Sequence, residues 1–214
     1  MAEEAAVAPA AEDEVKRLFF AVLLPRPLQA AAEVVQRALQ RANADLKWVE
    51  PHNLHFTLKF LGDTPLSAAP ALAEVARQVA ADSPRARVML RGLGGFPHDQ
   101  WPQVVWIGCD AGGPTLARLA RRLDAALDEA GLVSLDKRPF EPHLTLGRAR
   151  SNRRLKGLVD CLAQYGAVDI GPLILSSFAL MSSQLSPEGP TYTVIEEFPL
   201  RPPPEKPAEA APRA

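Results

Sequence analysis

The chain has 214 residues, of which 47% are hydrophobic and 23% are charged, and its formal net charge is −1. These proportions predict a globular protein with a compact core and exclude a disordered or fibrous chain. No run approaches the roughly 18 apolar residues of a membrane-spanning helix, and residues 1–14 lack the basic head and apolar stretch of a signal peptide. We therefore expect a cytoplasmic protein with no membrane association, and a monomer.

The cysteine content excludes two further classes. Cys109 and Cys161 are the only cysteines, too few and too far apart for a zinc knuckle or for a disulfide-stapled secreted domain. We expect both to be buried, reduced thiols.

Composition divides the chain into a central domain and two tails. Residues 1–14 are rich in Ala and Glu and carry five acids and no base, and residues 201–214 are rich in proline. Such compositions cannot bury enough apolar surface to offset the loss of chain entropy on folding. The sequence therefore predicts disordered tails at 1–14 and 201–214, on either side of a single domain at 15–200.

Strand-like and helical segments alternate in the first half of this domain. The pattern predicts a buried strand at 17–24, a helix at 27–44, a strand at 54–61 that Gly62 ends, and a helix at 66–81. Each strand is followed by a helix, which indicates layers of both kinds packed on one another.

The second half continues with five further strands and two further helices. In chain order these are strands at 87–93 and Val104–Cys109, a helix from 114 to about 130, a strand at His143–Ala149, a helix at 155–165, and strands at 168–180 and 192–199. Pro172 indicates a strand start or a bulge within the longest of these strands. The whole pattern predicts an α+β fold with mostly antiparallel strands.

Two of the predicted strands share a motif at or near their start. Residues 55–58 read HFTL and residues 143–146 read HLTL, so each strand carries His, an apolar residue, Thr and Leu in that order. Because side chains alternate between the two faces of a strand, each histidine shares a face with its threonine. The duplication indicates two related lobes. Lobes that face each other would place both polar pairs in one cleft.

Two imidazoles that face one substrate suit phosphodiester chemistry. One removes a proton from the nucleophile while the other protonates the leaving oxygen, and histidine serves in either role because its ordinary pKa of about 6.5 lies near working pH. The candidate acid–base pair is therefore His55 and His143. The hydroxyls of Thr57 and Thr145 are candidates for hydrogen-bonding the phosphate oxygens as charge develops on them.

Other interpretations of these residues stay open. A single histidine on a half-buried strand is usually structural, so the argument for catalysis depends on the duplication. A metal site competes for the two histidines, but neither motif supplies a second histidine or a carboxylate at ligand spacing, and no Gly-rich phosphate loop indicates use of a nucleoside triphosphate. We expect no metal and no cofactor. His52 and His98 lie in predicted turns and are expected at the surface.

A basic segment adjoins the second motif. Residues 137–156 contain seven bases and one acid, Glu141. A segment of this kind is typical either of a solvated surface or of an anion-binding surface. Its position beside His143 favours the second interpretation.

At these residues the sequence resembles the two-histidine (2H) phosphoesterase superfamily, most closely the bacterial and archaeal RNA 2′,3′-cyclic phosphodiesterases, also called 2′-5′ RNA ligases. The resemblance extends from about residue 17 to residue 200, and both His-x-Thr-x motifs are intact. The matching segments are 17–25 (RLFFAVLLP), 48–62 (WVEPHNLHFTLKFLG), 92–97 (GLGGFP), 105–108 (VWIG), 138–148 (RPFEPHLTLGR) and 183–192 (SQLSPEGPTY).

The resemblance implies two pseudo-symmetric lobes, each an antiparallel sheet with outer helices, around a central cleft. It also implies metal-independent hydrolysis of RNA 2′,3′-cyclic phosphate ends, on tRNA fragments or oligoribonucleotides, to 2′-phosphomonoesters, with a reverse 2′-5′ ligation. By motif position, His55 is expected to donate the proton to the leaving 3′ oxygen and His143 to activate water. Thr57, Thr145 and Arg148 are expected to bind the phosphate; the alternative for Arg148 is a surface salt bridge.

Two positions depart from the family pattern. His52 stands where members commonly have Glu, and Gln103 where they commonly have Arg, which puts in doubt how groups flanking the phosphate are held, because Arg offers a fork that Gln lacks. Two other functions remain open: an RNA-binding module without turnover, against which the intact histidines argue, and catalysis on another substrate. Such substrates include ADP-ribose cyclic phosphate, a small cyclic nucleotide and a 2′-5′ oligonucleotide.

Overall fold

The computed structural model describes residues 13–151, 153, 155–187 and 189–202. The strands are β1 (Val15–Leu23), β2 (Leu46–Trp48), β3 (His55–Pro65), β4 (Ala86–Phe96), β5 (Val104–Cys109), β6 (His143–Ala149), β7 (Asp169–Leu175), β8 (Ser177–Leu185) and β9 (Pro190–Pro199). The helices are α1 (Arg26–Gln40), α2 (Ala69–Ala81), α3 (Gly113–Glu129) and α4 (Leu155–Gln164). The predicted α+β composition is confirmed.

The strands form two antiparallel sheets that repeat one arrangement. The four-stranded sheet has the order β3-β1-β8-β9, and the five-stranded sheet has the order β2-β6-β5-β4-β7. In each, the strand that begins with a motif histidine pairs with the strand that precedes it in its lobe, β3 with β1 and β6 with β5. The extra strand β2 pairs with the other side of β6. This repetition gives the two pseudo-symmetric lobes that the sequence predicts.

Amphipathic helices join the two sheets through a continuous core. In α1 the buried positions Leu28, Ala32, Val35 and Leu39 recur at helical spacing, which gives the helix one apolar stripe. Helix α1 contacts β7 and α4, α2 contacts β8 and β9, and α3 contacts strands of both sheets, β3 and β4. A single cluster of buried side chains extends through both lobes, so the lobes are held rigidly enough to position a shared site.

The predicted strand at 168–180 is wrong, because the segment forms two strands in different sheets. Strand β7 pairs with β4, whereas β8 pairs with β1, and Ser176 lies at the crossover. The apolar run hides the break, because Leu173 and Leu175 are buried before Ser176 and all four residues at 178–181 are buried after it.

Pro172 and the short strand β2 both lie in the edge strands of the five-stranded sheet. Pro172 lies in β7, which is an edge strand and therefore tolerates a residue without an N–H. The three-residue β2 was not predicted, since it is too short to show a period. Strand β3 continues past Gly62, which has φ +75°, to Pro65.

The ends of the described chain make defined contacts. The Leu66 N–H donates to the Glu14 carbonyl at 2.9 Å, and the Arg201 N–H donates to the Ser83 carbonyl at 2.9 Å. The rest of the two predicted tails, residues 1–12 and 203–214, lies outside the described residues. Disorder there stays a prediction.

The described residues bear on the expectations about membrane association, metal binding and the two cysteines. None of their helices combines the length and hydropathy needed to cross a bilayer, and they contain no group of three or more His, Cys, Asp or Glu side chains arranged to hold a metal. Cys109 and Cys161 are free thiols, as expected, but both are partly exposed and not buried. Burial of the Cys109 sulfur is still enough to raise the pKa of this thiol to about 12.

Candidate active site

The two motif histidines occupy equivalent places in the two lobes. His55 is the first residue of β3 and pairs with Leu23 at the end of β1. His143 is the first residue of β6 and pairs with Gly108 near the end of β5. Strands β3 and β6 contact each other across the lobes, and the pKa of His55 is lowered mainly by burial and, to a smaller extent, by the charges of Arg148 and His143. The structure therefore brings the two imidazoles to one site.

The same backbone contact orients both imidazoles. Nδ1 of His55 lies 2.7 Å from the Asn53 carbonyl oxygen, and Nδ1 of His143 lies 2.7 Å from the Glu141 carbonyl oxygen. A carbonyl only accepts hydrogen bonds, so each Nδ1 carries the proton and donates. In the neutral rings the lone pair is therefore on Nε2, which is the nitrogen available for proton transfer.

The two motif threonines differ in their contacts. The Thr57 hydroxyl lies 3.0 Å from Nε2 of His55, so it donates to the neutral imidazole and accepts from the protonated one. Thr145 lies on the same face as His143 and pairs with Trp106 of β5. Both threonines are partly exposed, as phosphate-binding residues need to be.

A bulge at equivalent positions changes which face the later residues of each motif strand occupy. In β6, Thr145 pairs with Trp106 and Gly147 with Val105, so Leu146 is an extra residue. The insertion shifts the alternation by one, and Arg148 consequently emerges on the face of His143 although five positions separate them. Its exposed side chain is accessible there, and its charge lowers the pKa of both histidines.

The bulge in β6 is supported from helix α1. The carbonyl of Leu146 accepts hydrogen bonds from the Val49 N–H at 2.9 Å and from Nε2 of Gln36 at 2.9 Å. The Gln36 amide also donates to the Val49 carbonyl at 2.7 Å. Gln36 is buried. Its amide gives hydrogen-bond partners to two backbone carbonyl groups at the bulge, as buried polar groups require.

Burial and neighbouring charges set the protonation of the pair. Burial lowers the pKa of His55, the hydrogen bond to Asn53 opposes this, and the charges of Arg148 and His143 lower the pKa further. Burial also lowers the pKa of His143, the hydrogen bond to the Glu141 carbonyl opposes it, and the charge of Arg148 again lowers it. Both rings are therefore biased towards the neutral form until an anion binds.

Aromatic side chains that the sequence did not single out surround the imidazoles. The rings of Phe19 and Tyr192 have centroids 5.1 and 5.3 Å from that of His55, and the ring of Phe96 lies 4.9 Å from that of His143. Tyr192 and Phe96 approach edge-on. These contacts fix the ring planes, and they account for part of the desolvation that lowers both pKa values.

A buried lysine of the first motif strand anchors the segment that leads into the second. The Lys59 side chain is only 1% exposed, and its ammonium contacts Asp124 at 2.5 Å and Asp136 at 2.9 Å. It also donates to the Ser134 carbonyl at 2.9 Å. Burial opposes the charged form of Lys59, but the two carboxylates outweigh it and raise the pKa. These contacts link β3 to α3 and to residues 131–142, the segment that leads directly into His143.

The exposed cations of the basic segment form no ion pair with any carboxylate in the part of the chain that the structure describes. Of the seven bases in 137–156, Arg154 lies outside the described residues, and the other six are exposed. Sequence reasoning missed Lys47, which is the register partner of Arg148 and therefore lies on the same face. The surface beside the two histidines is thus electropositive on the side of the second lobe.

The two departures from the family pattern lie at the edge of this site. His52 is exposed in the short 3₁₀ turn Pro51–Asn53, which ends two residues before His55. The backbone of Gln103 bridges two elements, because its N–H donates to the Phe96 carbonyl at 2.6 Å and its carbonyl accepts from the Ala149 N–H at 2.9 Å. His98 is exposed, as expected.

Comparisons with known proteins identify the family of this chain and several of its relatives. A family model described as the 2′-5′ RNA ligase superfamily matches residues 24–180. The RNA 2′,3′-cyclic phosphodiesterase of Methanothermobacter thermautotrophicus is 35% identical over 184 residues, covering 86% of this chain and 98% of that protein. The protein of the same name from Aquifex aeolicus is 33% identical over 185 residues, covering 86% and 97%.

Solved structures show the same fold. The crystal structure of TT0787 from Thermus thermophilus aligns with a TM-score of 0.72 and 34% identity, over 87% of this chain and 98% of that one. Escherichia coli LigT complexed with 3′-AMP aligns with a TM-score of 0.70 and 26% identity, over 87% and 99%. The chain belongs to the 2′-5′ RNA ligase superfamily, the family of two-histidine phosphoesterases.

Proposed function

We propose that this protein is an RNA 2′,3′-cyclic phosphodiesterase that opens terminal cyclic phosphates to 2′-phosphomonoesters by acid–base catalysis without a metal. The observation that carries the proposal is the matched orientation of His55 and His143, each with Nδ1 held by a backbone carbonyl and Nε2 left to exchange a proton. Relatives that align with this chain over nearly their whole length carry this name.

In the proposed reaction His143 removes a proton from water, and the resulting nucleophile attacks the phosphorus of the cyclic phosphate. His55 gives its proton to the 3′ oxygen as the bond between phosphorus and that oxygen breaks. The products are a 2′-phosphate and a free 3′ hydroxyl. The assignment of base and acid follows the family resemblance, because the geometry of the two rings is nearly equivalent. Each proton transfer contributes roughly 10²- to 10⁴-fold in rate.

Charge that develops on the non-bridging oxygens would be stabilised by Thr57 and Thr145 as hydrogen-bond donors and by Arg148 as a cation. The bulge at Leu146 supports this role for Arg148, since it sets the side chain on the histidine face. A bound phosphate in turn raises the pKa of both imidazoles, which opposes the lowering by Arg148 and by burial. Substrate binding therefore helps to load the proton that the acid must donate.

The exposed cations favour a polyanionic substrate, and we propose oligoribonucleotides or tRNA fragments with a 2′,3′-cyclic phosphate end. The same site would join RNA ends when a 5′ hydroxyl takes the place of water, which gives a 2′-5′ linkage. We further propose that the active form is a cytoplasmic monomer in which residues 15–200 form one two-lobed domain. The continuous core through both sheets supports a single folding unit.

Hydrolysis of an oligoribonucleotide with a 2′,3′-cyclic phosphate end tests the proposal, with wild type, His55→Ala and His143→Ala in the presence of EDTA. Chromatography identifies the product isomer. We expect a 2′-phosphate from wild type and its loss in both variants. A 3′-phosphate product, or activity that EDTA abolishes and zinc or magnesium restores, would contradict the mechanism. Undiminished RNA binding without turnover by wild type would instead indicate a binding module.

A further inference from the structure

The carbonyl that orients His55 belongs to a buried asparagine. Asn53 is 7% exposed and ends the 3₁₀ turn Pro51–Asn53, where its N–H donates to the Glu50 carbonyl at 2.8 Å. Its side-chain amide donates to the Pro190 carbonyl at 3.0 Å, across a sequence separation of 137 residues. Because the backbone of the same residue accepts the hydrogen bond from Nδ1 of His55, Asn53 links this imidazole to a distant part of the first lobe.

The other end of this link is the strand that carries a neighbour of the imidazole. Pro190 is the first residue of β9, an edge strand of the four-stranded sheet. Proline has no N–H to contribute to the pairing with β8, so the hydrogen bond from Asn53 helps to fix the start of β9. Tyr192 lies two residues farther along β9 and packs edge-on against His55, with 5.3 Å between the ring centroids. Two contacts of the His55 ring, at Nδ1 and with Tyr192, therefore meet at Asn53.

The second lobe lacks this link. His143 also donates from Nδ1 to the carbonyl two residues earlier, but that residue is Glu141, which is exposed. No hydrogen bond or ion pair joins the Glu141 side chain to another residue in the described part of the chain. A ring that protonates a leaving oxygen held within the substrate needs a fixed direction, whereas water can move to meet a base. The extra support thus falls on the ring that acts as the acid in the proposed reaction.

We propose that Asn53 is a positioning residue for His55, because its side-chain amide fixes both the carbonyl that holds Nδ1 and the start of the strand that carries Tyr192. The inference rests on the proposed function, in which His55 is the acid. Without the amide, the Asn53 carbonyl loses its alignment with Nδ1, and Nε2 no longer points steadily at the leaving oxygen. Proton transfer then slows, whereas the groups proposed to bind the phosphate stay in place.

The titration of His55 distinguishes positioning from a purely structural role. The hydrogen bond to the Asn53 carbonyl raises the pKa of His55, whereas burial and the charges of Arg148 and His143 lower it. Loosening this hydrogen bond should therefore lower the pKa further. The titratable and charged groups that face the ring are His143 and Arg148 from β6 and Tyr192 from β9, and a substitution at position 53 leaves all three in the chain.

NMR titration and kinetics of Asn53→Leu test the inference, since leucine removes the amide but still fills the buried space. We expect a lower pKa for His55, an unchanged pKa for His143, and a kcat about 10- to 100-fold lower with little change in KM. Ser83→Ala is the matched control, because Ser83 is buried, donates to the Val79 carbonyl at 2.7 Å and takes no part in the site. The control should lose stability alone.

Wild-type titration of His55 in Asn53→Leu, equal shifts in both histidines, or a loss confined to KM would overturn the inference. Asn53→Ser is the second variant if leucine prevents folding, because the shorter side chain cannot reach Pro190 and adds no apolar volume. It should shift the titration of His55 in the same direction, and a wild-type titration in this variant would equally overturn the inference. The NMR measurement needs no turnover. Failure of wild type to hydrolyse a cyclic phosphate would therefore contradict the proposed function separately.

Discussion

The first motif strand, β3, and the second, β6, are built alike up to their fourth residue and differ after it. Both begin with a histidine whose Nδ1 donates to the carbonyl two residues earlier, at 2.7 Å in each case. Both have a threonine two residues later and a bulge at the following leucine. The shared part holds two equivalent imidazoles, which is what a reaction with one acid and one base requires.

The residues after the bulge differ in kind. β3 has the buried Lys59 and the exposed Phe60, where β6 has the buried Gly147 and the exposed Arg148. The bulge turns the fifth residue of each strand to the core side and the sixth to the cleft side. The two strands therefore share the histidine and threonine of the proposed acid–base site, whereas the positions beyond the bulge differ: Lys59 supports the structure from the core side, and Phe60 and Arg148 lie exposed on the other side.

The largest effect is expected where the strands are equivalent. His55→Ala and His143→Ala should each lower kcat by roughly 10²- to 10⁴-fold. The double variant should be little less active than the poorer single variant, because the effects of an acid and a base that act together in one reaction are not additive. Single-turnover hydrolysis measures these rates, and His98→Ala, at an exposed loop position, should retain wild-type activity. A double variant whose loss equals the product of the single losses would show two independent contributions.

The next effect concerns Lys59, which has no counterpart in the second strand. Lys59→Met removes the ammonium that neutralises Asp124, whose side chain is only 15% exposed. We expect the free energy of unfolding to fall by about 3–5 kcal/mol, the usual result of leaving one partner of a buried pair. Urea denaturation measures it, with Lys16→Met as control, because Lys16 pairs with Glu14 at the surface and such pairs contribute at most about 1 kcal/mol. Equal losses in the two variants would refute the anchoring role.

A smaller effect is expected at the charged residue that distinguishes β6. Arg148→Gln should lower kcat/KM by about 10- to 100-fold, since a charge-assisted hydrogen bond contributes about 1.5–3 kcal/mol. It should also raise the pKa of both histidines, because Arg148 lowers them in the native protein. NMR titration of the imidazoles measures this shift. Unchanged titration of both rings would place Arg148 outside the site, as a surface residue.

The sequence was sufficient to predict the α+β fold and the faces of the two histidines, because period-2 alternation and repeated motifs are local signals. It could not predict the bulges, which depend on cross-strand pairing. Simple alternation places Lys59 on the face of His55 and Phe60 in the core, and the bulge at Leu58 exchanges them. The same reason explains why the alternation alone would not place Arg148 beside His143.

Other features escaped prediction because they depend on distant partners. The aromatic contacts of His55 come from β1 and β9, and the anchoring of residues 131–142 depends on a lysine more than seventy residues earlier. The break at Ser176 left no local signal of this kind, because apolar, buried residues lie on both sides of it and those at 178–181 occupy both faces of β8.

The pH dependence of kcat/KM for wild type, His55→Ala and His143→Ala tests the paired mechanism most directly. Both pKa values are lowered in the free protein, so the wild-type profile should be a bell whose maximum lies on the acid side of 6.5. Removing the base, His143, should abolish the acidic limb in the residual activity, and removing the acid, His55, should abolish the alkaline limb. A monotonic wild-type profile, or a full bell in either variant, would contradict a mechanism in which these two imidazoles are the acid and the base.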